Sequence, residues 1–253
     1  MLKKILIAAA LIGTLGLPLH AQETQADAEK YATQATQYYQ QGNYAKALEY
    51  HNKALVIRLK VLGENHPDTA TSYNNIGAVY DNQGNYAQAL EYHNKALAIC
   101  LKVYGENHPY TATSYNNIGL VYAAQGNYAK ALEYYEKAQG ILRKVYGENH
   151  PNTAASYNNI GGVYAAQGNY AEALEYHEKS LAIRLKVFGE THPDIAASYY
   201  NIGVGFYRSG KKEEARKHLR KAVEIAKKTL GPDHPYTKRF SADLQTVENE
   251  LKK

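Results

Sequence analysis

GENHPDTATSYNNIGAVYDNQGNYAQALEYHNKALAICLKVYGENHP, residues 63–109, begins and ends on the same five letters. The pentad Gly-Glu-Asn-His-Pro stands at Gly63–Pro67, Gly105–Pro109 and Gly147–Pro151. It returns altered as Gly189-Glu-Thr-His-Pro193 and Gly231-Pro-Asp-His-Pro235. A second phrase, Tyr73-Asn-Asn-Ile-Gly77, recurs at Tyr115–Gly119, at Tyr157–Gly161 and, loosened, at Tyr199–Gly203. A third, Gly-Asn-Tyr, starts at Gly42, Gly84, Gly126 and Gly168, with Gly210-Lys-Lys in the last copy. The period is 42 residues throughout. A fixed period of this size marks a stacked array whose function lies in the surface it presents, not in one central pocket.

Working outward, the copies are 26–67, 68–109, 110–151, 152–193 and 194–235, followed by a tail, 236–253. Within 68–109, Pro67 and Asp68 open a helix, with Asp68 or Thr69 expected to cap it. Tyr73, Ile76, Gly77 and Tyr80 fall on one face of that helix at spacings of three and four. Gly84 permits the left-handed turn that ends it. A second helix starts near Tyr86 with the stripe Ala89, Leu90, Ala96, Leu97, Ile99, Leu101 and Val103, and stops at Gly105. Each copy is thus a helical hairpin whose apolar faces only its neighbours can bury. Gly77 and Ala89 let the paired helices approach, and the many tyrosines fill core and rim. Gln139 and Gly140 replace Leu97 and Ala98 in the third copy, so that hairpin is expected to bend more than the others. In the tail, Phe240, Leu244, Val247 and Leu251 form an apolar row, which predicts a closing helix over Thr237–Leu251.

At 45% hydrophobic and 21% charged, the chain has the composition of a folded protein, not a disordered one. Formal net charge is +5, of which Lys3 and Lys4 contribute two; the +3 remaining beyond them is too mild to argue for nucleic acid. The basic excess is local: Arg208 to Lys228 holds nine Lys or Arg and three Glu, a solvated outer face or a dock for an acidic partner. Met1-Leu-Lys-Lys, the apolar run Ile5–Leu17 and the small Ala21 read as a cleaved signal peptide, 1–21, with a short leader at 22–25. The apolar run is shorter than the ~20 residues a spanning helix needs, so no stable membrane insertion is expected after cleavage. A bacterial protein exported to the periplasm or secreted is the expectation. Cys100, the single cysteine, forbids an intrachain disulfide. Its counterparts one period away include Arg58 and Arg184, which predicts a partly exposed position.

No catalytic set has usable spacing, and no enzyme is expected. His66, His108, His150, His192 and His234 fall one per loop. Successive copies are offset by about 10 Å, whereas metal ligands converge to about 2 Å from one ion, so these residues are read as loop packing. His51, His93 and His177 lie a copy or more apart and fail the same test. Neither a metal nor another cofactor is expected.

The spacing Tyr73-x-x-Ile76-Gly77-x-x-Tyr80, then Ala89, then Ala96, resembles the tetratricopeptide repeat, with Tyr where that family often has Trp. The lengthened form, with Asn-Asn-Ile in the first helix and Gly-x-x-His-Pro between copies, is similar to the tetratricopeptide domain of kinesin light chains and their bacterial relatives. No heptad coiled coil precedes the repeats and a leader does, so architecture and mode of binding carry over and a motor role does not. The resemblance implies an all-α fold: a right-handed superhelical α-solenoid of five helical hairpins with a C-terminal capping helix. It also implies that first helices line a concave inner face. On this chain that face is Thr71, Asn75, Ala78 and Asn82, then Thr113, Asn117, Leu120 and Ala124, then Ala155, Asn159, Gly162 and Ala166, then Ala197, Asn201, Val204 and Arg208. Asn74, Asn116 and Asn158 adjoin it. An Asn amide both donates and accepts, so Asn74, Asn75, Asn116, Asn117, Asn158, Asn159 and Asn201 are the candidate clamps on the backbone of an extended peptide. The same amides can instead cross-link neighbouring helices and set their stacking. The expected partner is a protein or peptide; nucleic acid is not expected.

Overall fold

The computed structural model describes residues 23–253. The proposed signal peptide and its cut after Ala21 lie outside them. Among the described residues the chain forms eleven helices, with no strand. They are α1 (Gln25–Gln40), α2 (Tyr44–Val61), α3 (Pro67–Asn82), α4 (Tyr86–Tyr104), α5 (Pro109–Ala124) and α6 (Tyr128–Tyr146). Then follow α7 (Pro151–Ala166), α8 (Tyr170–Phe188), α9 (Pro193–Arg208), α10 (Lys212–Thr229) and α11 (Pro235–Glu250). Helices pair as α1/α2, α3/α4, α5/α6, α7/α8 and α9/α10, and each second helix packs on the first helix of the next pair. This is the expected α-solenoid of five hairpins with a closing helix.

The loop pentad explains how one hairpin hands the chain to the next. Gly105 ends α4 at φ 82°, ψ 178°, a conformation that L side chains rarely adopt. The residue before Pro is biased to extended backbone, and His108 sits at φ −110°, ψ 143°. That places its ring over the start of α5, where Nδ1 accepts from the Tyr110 N–H at 3.2 Å. His66, His150, His192 and His234 do the same for α3, α7, α9 and α11 at 3.1–3.2 Å. The caps are therefore these histidines, not Asp68 or Thr69. Thr69, Thr111 and Thr153 instead donate back to the carbonyls of Gly63, Gly105 and Gly147, closing each loop at 2.8–2.9 Å. The ring of His108 also stacks on Tyr104, with centroids 4.3 Å apart, as His150 does on Tyr146 and His192 on Phe188.

Packing follows the expected stripes with two corrections. In α4 the buried row is Ala89, His93, Ala96, Leu97, Ile99 and Cys100, while Val103 is exposed. The spacing 89, 93, 96, 100 follows one helical face, so a histidine belongs to the core row. Cys100 is 4% exposed, not partly open. Its counterpart Arg58 is buried too, because its guanidinium donates to Ser72 Oγ at 2.9 Å and to the Asp68 carbonyl at 3.1 Å. A serine on the next hairpin thus lets one position take Arg or Cys; Ser114 Oγ meets Cys100 Sγ at 3.6 Å. α6 runs through Gly140 unbroken for 19 residues, the same length as α4 and α8, so the glycine does not end the helix.

Gly77 and its equivalents approach the second helix closely. A Cβ on Gly77 would lie 2.8 Å from the His93 ring, and one on Gly119 would lie 2.8 Å from the Tyr135 ring. His93 and His177 are thus wedged against the first-helix Gly77 and Gly161, and both they and His51 are only 3–5% exposed. Burial holds each imidazole down to about 4, so all three are neutral near pH 7.

At the C-terminal end, α11 begins at Pro235 because His234-Pro235 repeats the loop device. Phe240 and Val247 are buried in a cluster with Ile195, Ala196, Leu219 and Val223, and Leu244 and Leu251 pack on it.

Candidate inner groove

The first helices are tied side by side by side chains 43 residues apart, one period plus one position. Asn117 Nδ2 donates to Asn74 Oδ1 at 3.4 Å, Asn159 to Asn116 at 2.7 Å, and Asn201 to Asn158 at 2.9 Å. The same step joins Gln25 to Asp68, Asn82 to Tyr39, Tyr200 to Asp243 and Tyr207 to Glu250. The two departures in the Asn pair now have a reason. Asn75 makes no side-chain hydrogen bond among the described residues, because Ala32 stands where its acceptor would be. Tyr200 replaces an Asn because its partner on α11 is Asp243, whose Oδ2 accepts the hydroxyl at 2.6 Å. Burial first, and that carboxylate second, push the Tyr200 hydroxyl up to about 12.

The cross-links consume part of the amide chemistry. Asn117, Asn159 and Asn201 each spend one N–H on the preceding helix. Among the described residues nothing donates to their Oδ1 atoms, which leaves an acceptor and a second N–H on each. The paired Asn74, Asn116 and Asn158 give their oxygens to the ladder, and Asn74 Oδ1 also meets His93 Nδ1 at 2.9 Å. All seven are half-buried.

Clefts open along this face between successive first helices. One of about 500 Å³ lies between α3 and α5 and is lined by Thr71, Asn74, Asn75, Thr113 and Asn117, with Asp68, Tyr104 and Tyr110 at its edge. Another of about 280 Å³ lies between α5 and α7, with Thr113, Asn116, Ala155 and Asn159. A third of about 430 Å³ lies between α7 and α9, with Asn158, Gly162, Ala166, Asn201, Val204 and Arg208. The seven candidate asparagines all line one of these clefts. Ala78, Asn82, Leu120, Ala124 and Ala197 line none of the three. Tyr110, Tyr170, His177 and Arg239 enter the clefts although the sequence reading did not place them there. Tyr110 was findable: among the copies it stands where Asp68, Asn152 and Asp194 do, with Tyr236 the matching residue after the last loop. Arg239 lies on α11 one period after Ala197, so the inner-face row continues onto the closing helix, which the sequence reading left out of the row.

Among the described residues no group of His, Cys, Asp and Glu is arranged to hold a metal, and no helix is long and apolar enough to cross a membrane. The basic run on α9 and α10 is partly neutralised, by Lys212–Glu250 at 2.9 Å, Arg220–Glu248 at 2.6 Å and Lys228–Glu224 at 2.7 Å.

The tetratricopeptide repeat family model matches residues 26–102, 75–144, 110–186 and 152–228. The structure is similar to that of BtubC (BKLC) from P. vanneervenii, with a TM-score of 0.70 and 25% identity, covering 83% of this chain and 84% of that one. It is also similar to a kinesin light chain protein with nearly identical repeats from Podospora anserina, with a TM-score of 0.66 and 27% identity, covering 82% and 98%. Aspartyl phosphate phosphatase F from Bacillus subtilis shares the fold, with a TM-score of 0.73 at 18% identity over 85% of this chain and 54% of its own. No curated protein matches the chain in sequence.

Proposed function

Because the chain belongs to the tetratricopeptide repeat family, whose members generally serve as scaffolds for protein–protein interaction, we propose that it is a non-enzymatic scaffold that binds an extended segment of a partner protein along its inner face. The observation that carries this reading is the set of spare amide groups on Asn117, Asn159 and Asn201, repeated at one helical position and opening into consecutive clefts. Such groups match the alternating N–H and C=O of a peptide in extended form. A net hydrogen bond of this kind contributes only about 0.5–1.5 kcal/mol, so single losses are mild and combined ones severe.

The second reading makes the ladder purely structural, in a subunit that assembles an envelope complex through its edges. The Asn–Asn links across the first helices favour it. The double variant Asn117→Ala with Asn159→Ala separates the two. Lost partner capture with an unchanged melting temperature supports the groove. A lower melting temperature with capture intact assigns the ladder to stacking and places binding elsewhere. The scaffold is further proposed to work outside the cytoplasm, on the strength of the basic and apolar N-terminal stretch. N-terminal sequencing of native protein is expected to start near Gln22; an intact Met1 overturns export.

A further inference from the structure

The clefts along the inner face are not chemically alike. The one between α3 and α5 is lined by Asp68, Tyr104 and Tyr110 and by no Lys or Arg. Tyr110 is 58% exposed, with its ring 5.2 Å from that of Tyr104. Asp68 Oδ2 accepts from Gln25 Nε2 at 2.8 Å, yet the carboxylate side chain remains 43% exposed. A carboxylate beside the exposed ring of Tyr110, with the half-buried Tyr104 ring next to it, attracts a cation through charge and through the open ring face.

The cleft between α7 and α9 is the reverse. It is lined by the exposed Arg208 and Arg239 and by no Asp or Glu. Asp243 shares the adjoining cleft with both arginines, its Oδ2 accepting the Tyr200 hydroxyl, and its one negative charge leaves the pair of arginines with a net positive charge. The floor is open because Gly162 stands where other copies have Ala78, Leu120 and Val204, and a Cβ there would meet nothing within 4 Å. His177 lines this cleft at 5% exposure, and its Nδ1 has no hydrogen-bond partner among the described residues, unlike His93 Nδ1. A buried polar nitrogen without a partner is destabilising until a ligand atom meets it.

The two clefts are two repeats apart. Neighbouring helices lie roughly 10 Å apart, which sets the clefts about 20 Å from each other, or about six residues of extended chain. We propose that the groove is electrically two-ended and selects an extended segment with one basic and one acidic residue about six positions apart. The basic side chain enters the Asp68–Tyr104–Tyr110 cleft, and the acidic one enters the Arg208–Arg239 cleft. This rests on the groove reading above and adds the composition of the segment and a single direction for it.

The test uses the purified chain and short fluorescent peptides of Ala, Gln and Thr. Each carries one Lys and one Glu at varied separation, and a parent carries Gln at both places. Fluorescence anisotropy at low and at physiological salt gives Kd. The pair at about six residues' separation is expected to bind about tenfold tighter than the parent, with the advantage shrinking in salt. Asp68→Asn, which keeps the bond to Gln25, removes the Lys share alone. Arg208→Gln with Arg239→Gln removes the Glu share alone. Thermal melting confirms that these surface variants fold. If the charged peptides bind no better than the parent, or bind equally at every spacing, while the parent still binds through Asn117 and Asn159, the two-ended groove is overturned and the groove itself stands. If no peptide binds at millimolar concentration, both readings fall.

Discussion

Gly119 and Gly162 lie one repeat plus one position apart, and the same substitution has opposite signs at them. A Cβ on Gly119 would press to 2.8 Å on the ring of Tyr135, which is 2% exposed and has no room to withdraw. Overpacking of this kind costs about 1–3 kcal/mol, so Gly119→Ala is expected to destabilise by that amount. Gly162 faces open space inside α7, where Ala is the better helix former. Gly162→Ala is expected to stabilise by about 0.5–1 kcal/mol. Chemical denaturation of both variants decides the matter; equal effects would show that close approach of the paired helices is not what requires Gly119. The repeat already sets them apart, with Gly119 inside the phrase and Gly162 just after it where other copies have Ala78, Leu120 and Val204, but only the packing shows why.

Among elements, α11 is the one that closes the stack. It seals the last hairpin through Phe240, whose ring stacks on Tyr200 at 4.2 Å between centroids. It also supplies Asp243, Glu248 and Glu250 to Tyr200, Arg220 and Tyr207. Losing a buried Phe alone costs about 3–5 kcal/mol. In a chain of this size each kcal/mol shifts the melting temperature by about 2–4 °C. Deletion of residues 236–253 is therefore expected to lower it by about 10 °C and to reduce solubility as the cluster around Leu219 is exposed. An unchanged melting curve would refute the capping role. This helix was legible beforehand as an apolar row, but its start was placed two residues late. The row predicts which face is buried, whereas the His234 cap at Pro235 decides where the helix begins.

On the scale of the whole molecule, three of the five hairpins hold a buried neutral histidine, at His51, His93 and His177. Each has its imidazole lowered from the ordinary 6.5 to about 4 by burial. The unfolded chain therefore takes up protons that the folded one refuses. Stability is full above pH 6.5 and falls as the pH drops from 6.5 to about 4, below which these groups add no further loss. A shift of one unit is about 1.4 kcal/mol, so each histidine accounts for a few kcal/mol at most. The urea midpoint is expected to fall over that window. Replacing the three by Leu, as Leu219 already stands in the fifth copy, is expected to flatten the curve; a curve of the same slope in the triple variant would assign acid sensitivity to other groups.

The sequence by itself determined the hairpin count, the limits of the helices in 68–109 and the tail to within two residues, and most of the apolar row each of these buries. Those features follow from local spacing repeated every 42 residues, and each repeat confirms the reading of the last. The tertiary structure alone decided what depends on neighbours in space. His108 becomes a cap because Pro109 holds it extended above α5. Arg58 is buried because Ser72 of the next hairpin meets it. The amides of Asn117, Asn159 and Asn201 bond backward to Asn74, Asn116 and Asn158, because adjacent first helices are offset by one period and one position. Arg239 follows Ala197 by one period, but that it shares a cleft with Arg208 is decided by the packing of α11 beside α9.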